Sequence, residues 1–248
     1  MVFNFLAENP DVYRSGLSFQ SPNSTNNVFP IRFNCKDFIV KRPNYDTSLR
    51  YVKFFLYESL FYRSRRLSTP AQGIRREAEM LKQLDGFYSP KFVAYDCAST
   101  TLVREYIDGV NFEKLETDKE RAETLDQALA SMELMHGRNI VIGDSNVKNI
   151  YKTKDGVCWG DFDGVFNNGL VAMAIDVLKF VYSVWEITQN RDIIIHAAEA
   201  TKNYSNARVK ENIRRLVNPG HGNVRTGLYL GSPISHSLNE NIKIILRS

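Results

Sequence analysis

Cysteine is scarce in this chain of 248 residues: Cys35, Cys97 and Cys158 stand far apart, with no Cys-x-x-Cys pair and no histidine at metal-ligand spacing. That usage excludes a zinc site and a disulfide framework as expectations and fits reduced thiols in the cytosol. No run approaches the ~18 apolar residues of a membrane span, and Met1–Tyr13 has neither a basic start nor a continuous apolar core. Neither a transmembrane helix nor a secretory leader is therefore expected; the predicted location is cytoplasmic, with peripheral attachment to the inner membrane surface left open. Internal repeats and long linkers are missing too. Charge of either sign is not in large excess: a net +4 and a pI near 8.9 suit a nucleotide, a phosphorylated glycolipid or RNA and select none of them. With 43% hydrophobic and 24% charged residues the chain is not disordered, and it can bury one sizeable core or two small lobes.

What is present is concentrated between Ile140 and Val165. Asp144 and Asn149 lie five residues apart around a turn, and Asp161 follows seventeen residues after Asp144, behind a β-like run. Phosphoryl transfer from ATP needs such a set: a carboxylate to orient or deprotonate the acceptor, and an amide oxygen with a second carboxylate to hold magnesium on the phosphates. A chance D-x-x-x-x-N beside a turn rich in Asp and Gly is the competing explanation. It is the poorer one with both halves at this separation and a helix ahead of them.

GDSNVKN (Gly143 to Asn149) and GDFDG (Gly160 to Gly164) resemble the catalytic loop and the Asp-Phe-Gly motif of the protein-kinase superfamily. Gly before the first Asp, and Asp after Asp-Phe, look less like ordinary Ser/Thr kinases than like atypical and small-molecule kinases. Those include the lipopolysaccharide Kdo/heptose kinases, the antibiotic and choline phosphotransferases, and the small kinase of the KEOPS tRNA-modifying complex. The resemblance covers roughly Ser18 to Thr188 and implies an α+β, two-lobed protein-kinase-like fold: a small, mainly β lobe over 1–107 and a helical lobe over 108–248. It implies ATP and Mg2+ as cofactors, Asp144 as the catalytic carboxylate, and Asn149 and Asp161 as metal ligands. Lys148, beside Asn149, is read as a neutraliser of transferred phosphate, with an exposed loop lysine as the alternative.

The rest of the chain is read beside that frame. A polar tract, Ser18 to Asn27, precedes two strands, Val28 to Phe33 and Phe38 to Arg42, with a turn at Asn34 to Asp37. The tract sits where the family places its phosphate-covering loop, yet it lacks G-x-G-x-x-G. Lys41 resembles the family's phosphate-binding lysine, with an aggregation-blocking edge-strand lysine as the alternative and Arg42 as its neighbour. Asp46 to Arg66 spaces Tyr51, Phe54, Phe55, Phe61 and Tyr62 as one aromatic helix face. It packs on the small lobe or, through Arg50, Lys53, Arg63, Arg65 and Arg66, meets an anionic membrane surface or RNA. After the breaker STPAQG, a helix carries Ile74, Ala78 and Leu81 on one face. Glu77 resembles the family's αC glutamate and by that resemblance pairs with Lys41, with an exposed helix carboxylate as the alternative, while Glu79 points elsewhere. Two strands follow, in Lys91 to Cys97 and Thr100 to Gly109. By resemblance, backbone groups from Glu105 to Ile107 read the adenine edge and Gly109 lets the chain turn.

TDKE (Thr117 to Glu120) has the form of a capping box, and Ala122, Leu125, Leu129, Met132 and Met135 continue one stripe to Gly137, which ends the helix. His136 reads as a helix C-terminal histidine favoured by the dipole. Ile142 stands where the family has a histidine that ties its loop. Leu170 to Thr188 reads as an apolar helix in which Asp176 must be hydrogen-bonded, residues 190–216 as further helix, and the turn-rich end is left unplaced. No A-P-E-like segment follows Asp161, which points to a sugar, glycolipid or other small-molecule hydroxyl as acceptor. The alternatives are an atypical Ser/Thr protein kinase or ATPase like the KEOPS kinase, and a pseudokinase acting as a binding module.

Overall fold

The computed structural model describes residues 26–44, 69–164, 169–218 and 234–248. The lead to residue 17, nearly all of the polar tract, the aromatic and basic segment 46–66 and most of the turn-rich tract before residue 234 lie outside the described residues. Those described fall into two compact units, one of residues 26–44, 69–108 and 162–164, the other of 109–161, 169–218 and 234–248.

The first unit is built on a four-stranded antiparallel sheet in the order β1-β2-β4-β3, with β1 Asn26–Phe33, β2 Lys36–Pro43, β3 Phe92–Asp96 and β4 Thr101–Glu105. The first hairpin closes further than its sequence predicts: pairing continues to Phe33↔Lys36, so the turn shrinks from Asn34–Asp37 to Asn34 and Cys35. Their φ angles, 51° and 60°, are the left-handed pair that matches the twist of a two-residue hairpin. Lys41 is registered against Val28 on one side and Leu102 on the other, which rules out the edge-strand reading. Alternation divides the sheet. Ile31, Phe38, Val40 and Val103 form one small apolar cluster. Lys41 and Arg104 lie on the other face, toward α1 (Pro70–Leu84), through Glu77.

STPAQG is no breaker but the start of α1. Thr69 caps the helix and exchanges hydrogen bonds with Gln72, and Pro70 occupies the first turn, where a missing N–H loses no intrahelical bond. Ile74, Ala78 and Leu81 are buried as expected.

The second unit opens with β5 (Val110–Asn111), which pairs with the hairpin β6 (Ile150–Thr153) and β7 (Gly156–Trp159). Helices make up most of the rest: α2 (Asp118–Gly137), α3 (Leu170–Thr188), α4 (Arg191–Ala200), α5 (Ala207–Val217) and α6 (His236–Arg247). Thr117 caps α2, but Glu120 turns its carboxylate to the Thr117 hydroxyl and to Lys152, 3.2 Å away, so the box is left open. Gly137 is still helical, and the left-handed residue that releases the chain is Asn139, φ 59°. Helix α6 was not foreseen; Ser235 caps it and Leu238, Ile242 and Leu246 form its buried stripe.

Helix α3 carries the loop that leads to Asp144. Asp176, with no exposed surface, accepts the amides of Ile142 at 2.7 Å and Gly143 at 2.9 Å. Its backbone carbonyl takes the Ser145 hydroxyl, and the Ser183 hydroxyl takes the Val147 amide. His136 stands in the last turn of α2, as its sequence predicts. It is buried between Asp176, 3.1 Å from its Nε2, and the Tyr204 hydroxyl at its Nδ1. The side chain at 142 has no part in this tie, because Asp176 grips backbone; Ile142 simply fills core. A small antiparallel-sheet unit with one helix, followed by a helical unit, in this element order, is the protein-kinase-like α+β fold.

Asp176→Ala strips a charged acceptor from two buried amides, and we expect a loss of about 2–4 kcal/mol of stability in urea unfolding. Thr69→Ala, which removes one exposed cap, should cost only about 1 kcal/mol in the same measurement.

Candidate functional site

Within the first unit a charged cluster gathers beneath the sheet. Lys41 Nζ is 2.5 Å from Glu77 Oε2 and 3.7 Å from Asp163 Oδ2, and Arg104 Nε is 3.6 Å from Glu77 Oε1. Asn26 donates to Asp163 at 3.0 Å. Lys41 and Glu77 are almost fully buried, and buried charges persist only when paired and hydrogen-bonded. Glu79 turns outward to Arg75, and the neighbouring Arg42 bonds Thr101, so neither rivals its partner in the pair.

Past the sheet, the backbone at Glu105 to Ile107 is less available than its sequence predicts. The Glu105 amide donates to the Lys91 carbonyl and the Tyr106 amide to the Asp37 carbonyl. Of the three amides, that of Ile107 has no such bond among the described residues.

The second unit holds the other cluster. Gly143, with φ 87°, takes a left-handed conformation that glycine adopts without a Cβ clash, and this reversal delivers Asp144. Asn149 donates through Nδ2 to the Asp144 carbonyl at 3.0 Å and to its Oδ2 at 2.9 Å. Both acceptors are oxygens, so the amide can sit only one way round, and its oxygen is the end left for a cation. Carboxylate oxygens of Asp144 and Asp161 lie within 4.8 Å of each other. Carboxylate and amide oxygens such as those of Asp161 and Asn149 are hard donors of the type Mg2+ takes. Lys148 is exposed, and its carbonyl is held by Asn111.

Two glycines hold backbone close. A Cβ on Gly160 would lie 2.7 Å from the Tyr151 ring, and one on Gly109 2.7 Å from the Lys152 carbonyl. The chain bends at Gly109, as its sequence setting suggests, and the close approach adds a second reason for glycine there.

Lys179 has no counterpart in the sequence reading. From α3 its Nζ reaches Asp144 Oδ1 at 2.6 Å. Burial works against ionisation of Asp144, but the ammonium groups of Lys179 and Lys148 and the Asn149 hydrogen bond outweigh it and hold the carboxyl below the usual carboxylate range. The available signal was a single lysine in an apolar helix, three residues after Asp176 and so on its face.

No protein-family model matches the chain. No curated protein matches it either. Among solved structures, the crystal structure of a mutant of the Mycobacterium tuberculosis PknI kinase domain is similar at 11% identity and a TM-score of 0.45, over 68% of this chain and 70% of that one. A likeness at that level carries no residue correspondence.

Lys41→Met should leave Glu77 buried with only the more distant Arg104 as cation and cost about 3 kcal/mol. Lys41→Met with Glu77→Leu should recover part of that loss, since the Lys41 and Glu77 charges leave the interior while Arg104 stays. Thermal melts of the single and double variants check this.

Proposed function

We propose that the chain is an ATP-dependent phosphotransferase that moves the γ-phosphate to a hydroxyl group. The observation that supports this best is the way Asn149 is spent: its nitrogen end is fixed by Asp144, which leaves its oxygen as the end that would ligate a metal. In this reading Asp144 orients the acceptor hydroxyl, and Lys41, held by Glu77, binds the nucleotide phosphates. Asn149 and Asp161 hold the magnesium ion, which supplies neutralisation of phosphate charge. Lys148, exposed on the loop, supplies a charge for the transferred group. The adenine edge falls to the 105–107 backbone, with Ile107 the available donor.

The acceptor we infer is small: a sugar, a glycolipid or another compact hydroxyl compound. Only residues 162–169 separate Asp161 from the start of α3 at Leu170, a connection too short for an extended segment on which a peptide would dock. No helix among the described residues is long and apolar enough to cross a membrane. Contact with an anionic surface through residues 46–66 remains part of the proposal, on its composition alone.

Asp144→Ala is expected to lower phosphoryl transfer by several orders of magnitude while ATP affinity stays near that of the unmodified chain, whereas Lys41→Ala should weaken nucleotide binding itself. Turnover, nucleotide affinity and melting temperature on both variants decide it; full turnover in Asp144→Ala would sink the mechanism.

Asp161→Asn should abolish magnesium-dependent nucleotide binding with the fold intact, because it removes an anionic ligand from a hard cation. Asp163, two residues on, faces Lys41 and Asn26, and Asp163→Asn should weaken nucleotide binding without abolishing its magnesium dependence. Calorimetry with and without magnesium separates the two; the reverse result would move the metal ligand to Asp163.

A further inference from the structure

Helix α3 buries residues from Ala172 to Val184, and Lys179 is its single basic residue. Its side chain is 17% exposed, with Nζ 2.6 Å from Asp144 Oδ1. An ammonium withdrawn that far from water costs free energy unless its partner compensates. Tying the loop to α3 does not explain it. That work is done by Asp176 and Ser183, through the amides of Ile142, Gly143 and Val147 and the hydroxyl of Ser145. What Lys179 adds is confined to the carboxylate of Asp144. Asn149 already holds Oδ2, so with Lys179 on Oδ1 the carboxylate cannot rotate without breaking both contacts. The loop offers no equivalent: Asn146 is spent on the Lys148 amide and reaches toward Glu186, and the Lys148 side chain is exposed.

We propose that Lys179 is a positioning residue for phosphoryl transfer, clamping the Asp144 carboxylate in one orientation and standing beside the acceptor oxygen that this carboxylate orients. The proposal rests on the phosphotransferase reading above. Oδ1 keeps a second lone pair, and the acceptor hydroxyl donates to it. As the acceptor oxygen bonds to the γ-phosphorus, the bond from that phosphorus to the bridging oxygen breaks and ADP leaves; the hydroxyl proton passes to Asp144 and then to solvent. Lys179, fixed at Oδ1, places its ammonium beside the arriving phosphoryl oxygens and offsets their charge.

The test uses the full chain as Lys179→Met, Lys179→Arg, Asp144→Ala and the double variant Asp144→Ala with Lys179→Met. Three quantities are measured: ATP turnover with magnesium, with water and the chain itself as acceptors; MgADP affinity by calorimetry; and melting temperature. Lys179→Met should lower turnover about 10- to 100-fold, the scale of a misplaced reacting group, with MgADP affinity changed by less than about threefold. Lys179→Arg should restore part of the turnover. In the Asp144→Ala background the Met substitution should cause no further loss, because it acts through Asp144. Unchanged turnover in Lys179→Met overturns the proposal, and so does an equal further loss in the double variant. If Lys179→Met melts early, the Arg variant decides: a proportionate fall of affinity and turnover there assigns Lys179 to the fold alone and overturns it. An unmodified chain without magnesium-dependent turnover removes the phosphotransferase reading and this proposal together, an outcome distinct from an active chain indifferent to Lys179.

Discussion

A single buried carboxylate organises the second unit. Asp176 has no exposed surface, and an ionised group in that position is tolerated only if donors surround it. The donors it finds are the backbone amides of Ile142 and Gly143, with His136 alongside. The cost of burying one charge is thereby converted into the geometry of a loop. Since α3 holds both Asp176 and Ser183, the loop is fixed to the most apolar helix of the unit, the element least able to shift. Everything proposed for Asp144 and Asn149 depends on that anchoring.

The first unit applies the same rule with a different outcome. Lys41 sits on an inner strand and cannot reach water, so Glu77 of α1 must meet it. The pair in turn has Arg104 and Asp163 close by, which makes it part of a network. Networks of this kind add little net stability compared with an apolar interior, and they fix which side chains can stand together. In the phosphotransferase reading this network keeps the Lys41 ammonium in one position.

Lys179 joins the two themes within the second unit. It is a charge held in an apolar helix, like Asp176, and it is matched by one carboxylate, like Lys41. The difference is that its partner is only half-buried, so the ion pair ends at a surface a substrate can reach. A carboxylate whose two oxygens are separately held by an ammonium and an amide is oriented before any acceptor arrives, which is the condition for efficient transfer.

The sequence by itself determined the local elements and the chemical types. Short apolar runs marked the strands around Ile39 and Leu102, spacing marked the stripe of α2, and the Asp144, Asn149 and Asp161 intervals marked the loop and a β-like run between them, which the fold resolves into the hairpin β6–β7. Gly143 before Asp144 was legible as a motif, although its reason, a left-handed backbone, is visible only in the fold. Hairpin length escaped the reading because pairing extends it past its local signal, whereas the start of α1 at Pro70 and the helix His236–Arg247 carry caps at Thr69 and Ser235 that the reading passed over among turn-forming residues. Contacts between residues far apart in sequence belong to the tertiary structure alone. Lys41 meeting Glu77 was expected only by resemblance, and the burial of His136 against Tyr204 and the reach of Lys179 to Asp144 were not foreseen at all. A sequence carries the periodicity of each segment, but which polar group faces another is settled by packing, where every buried charge must find a partner.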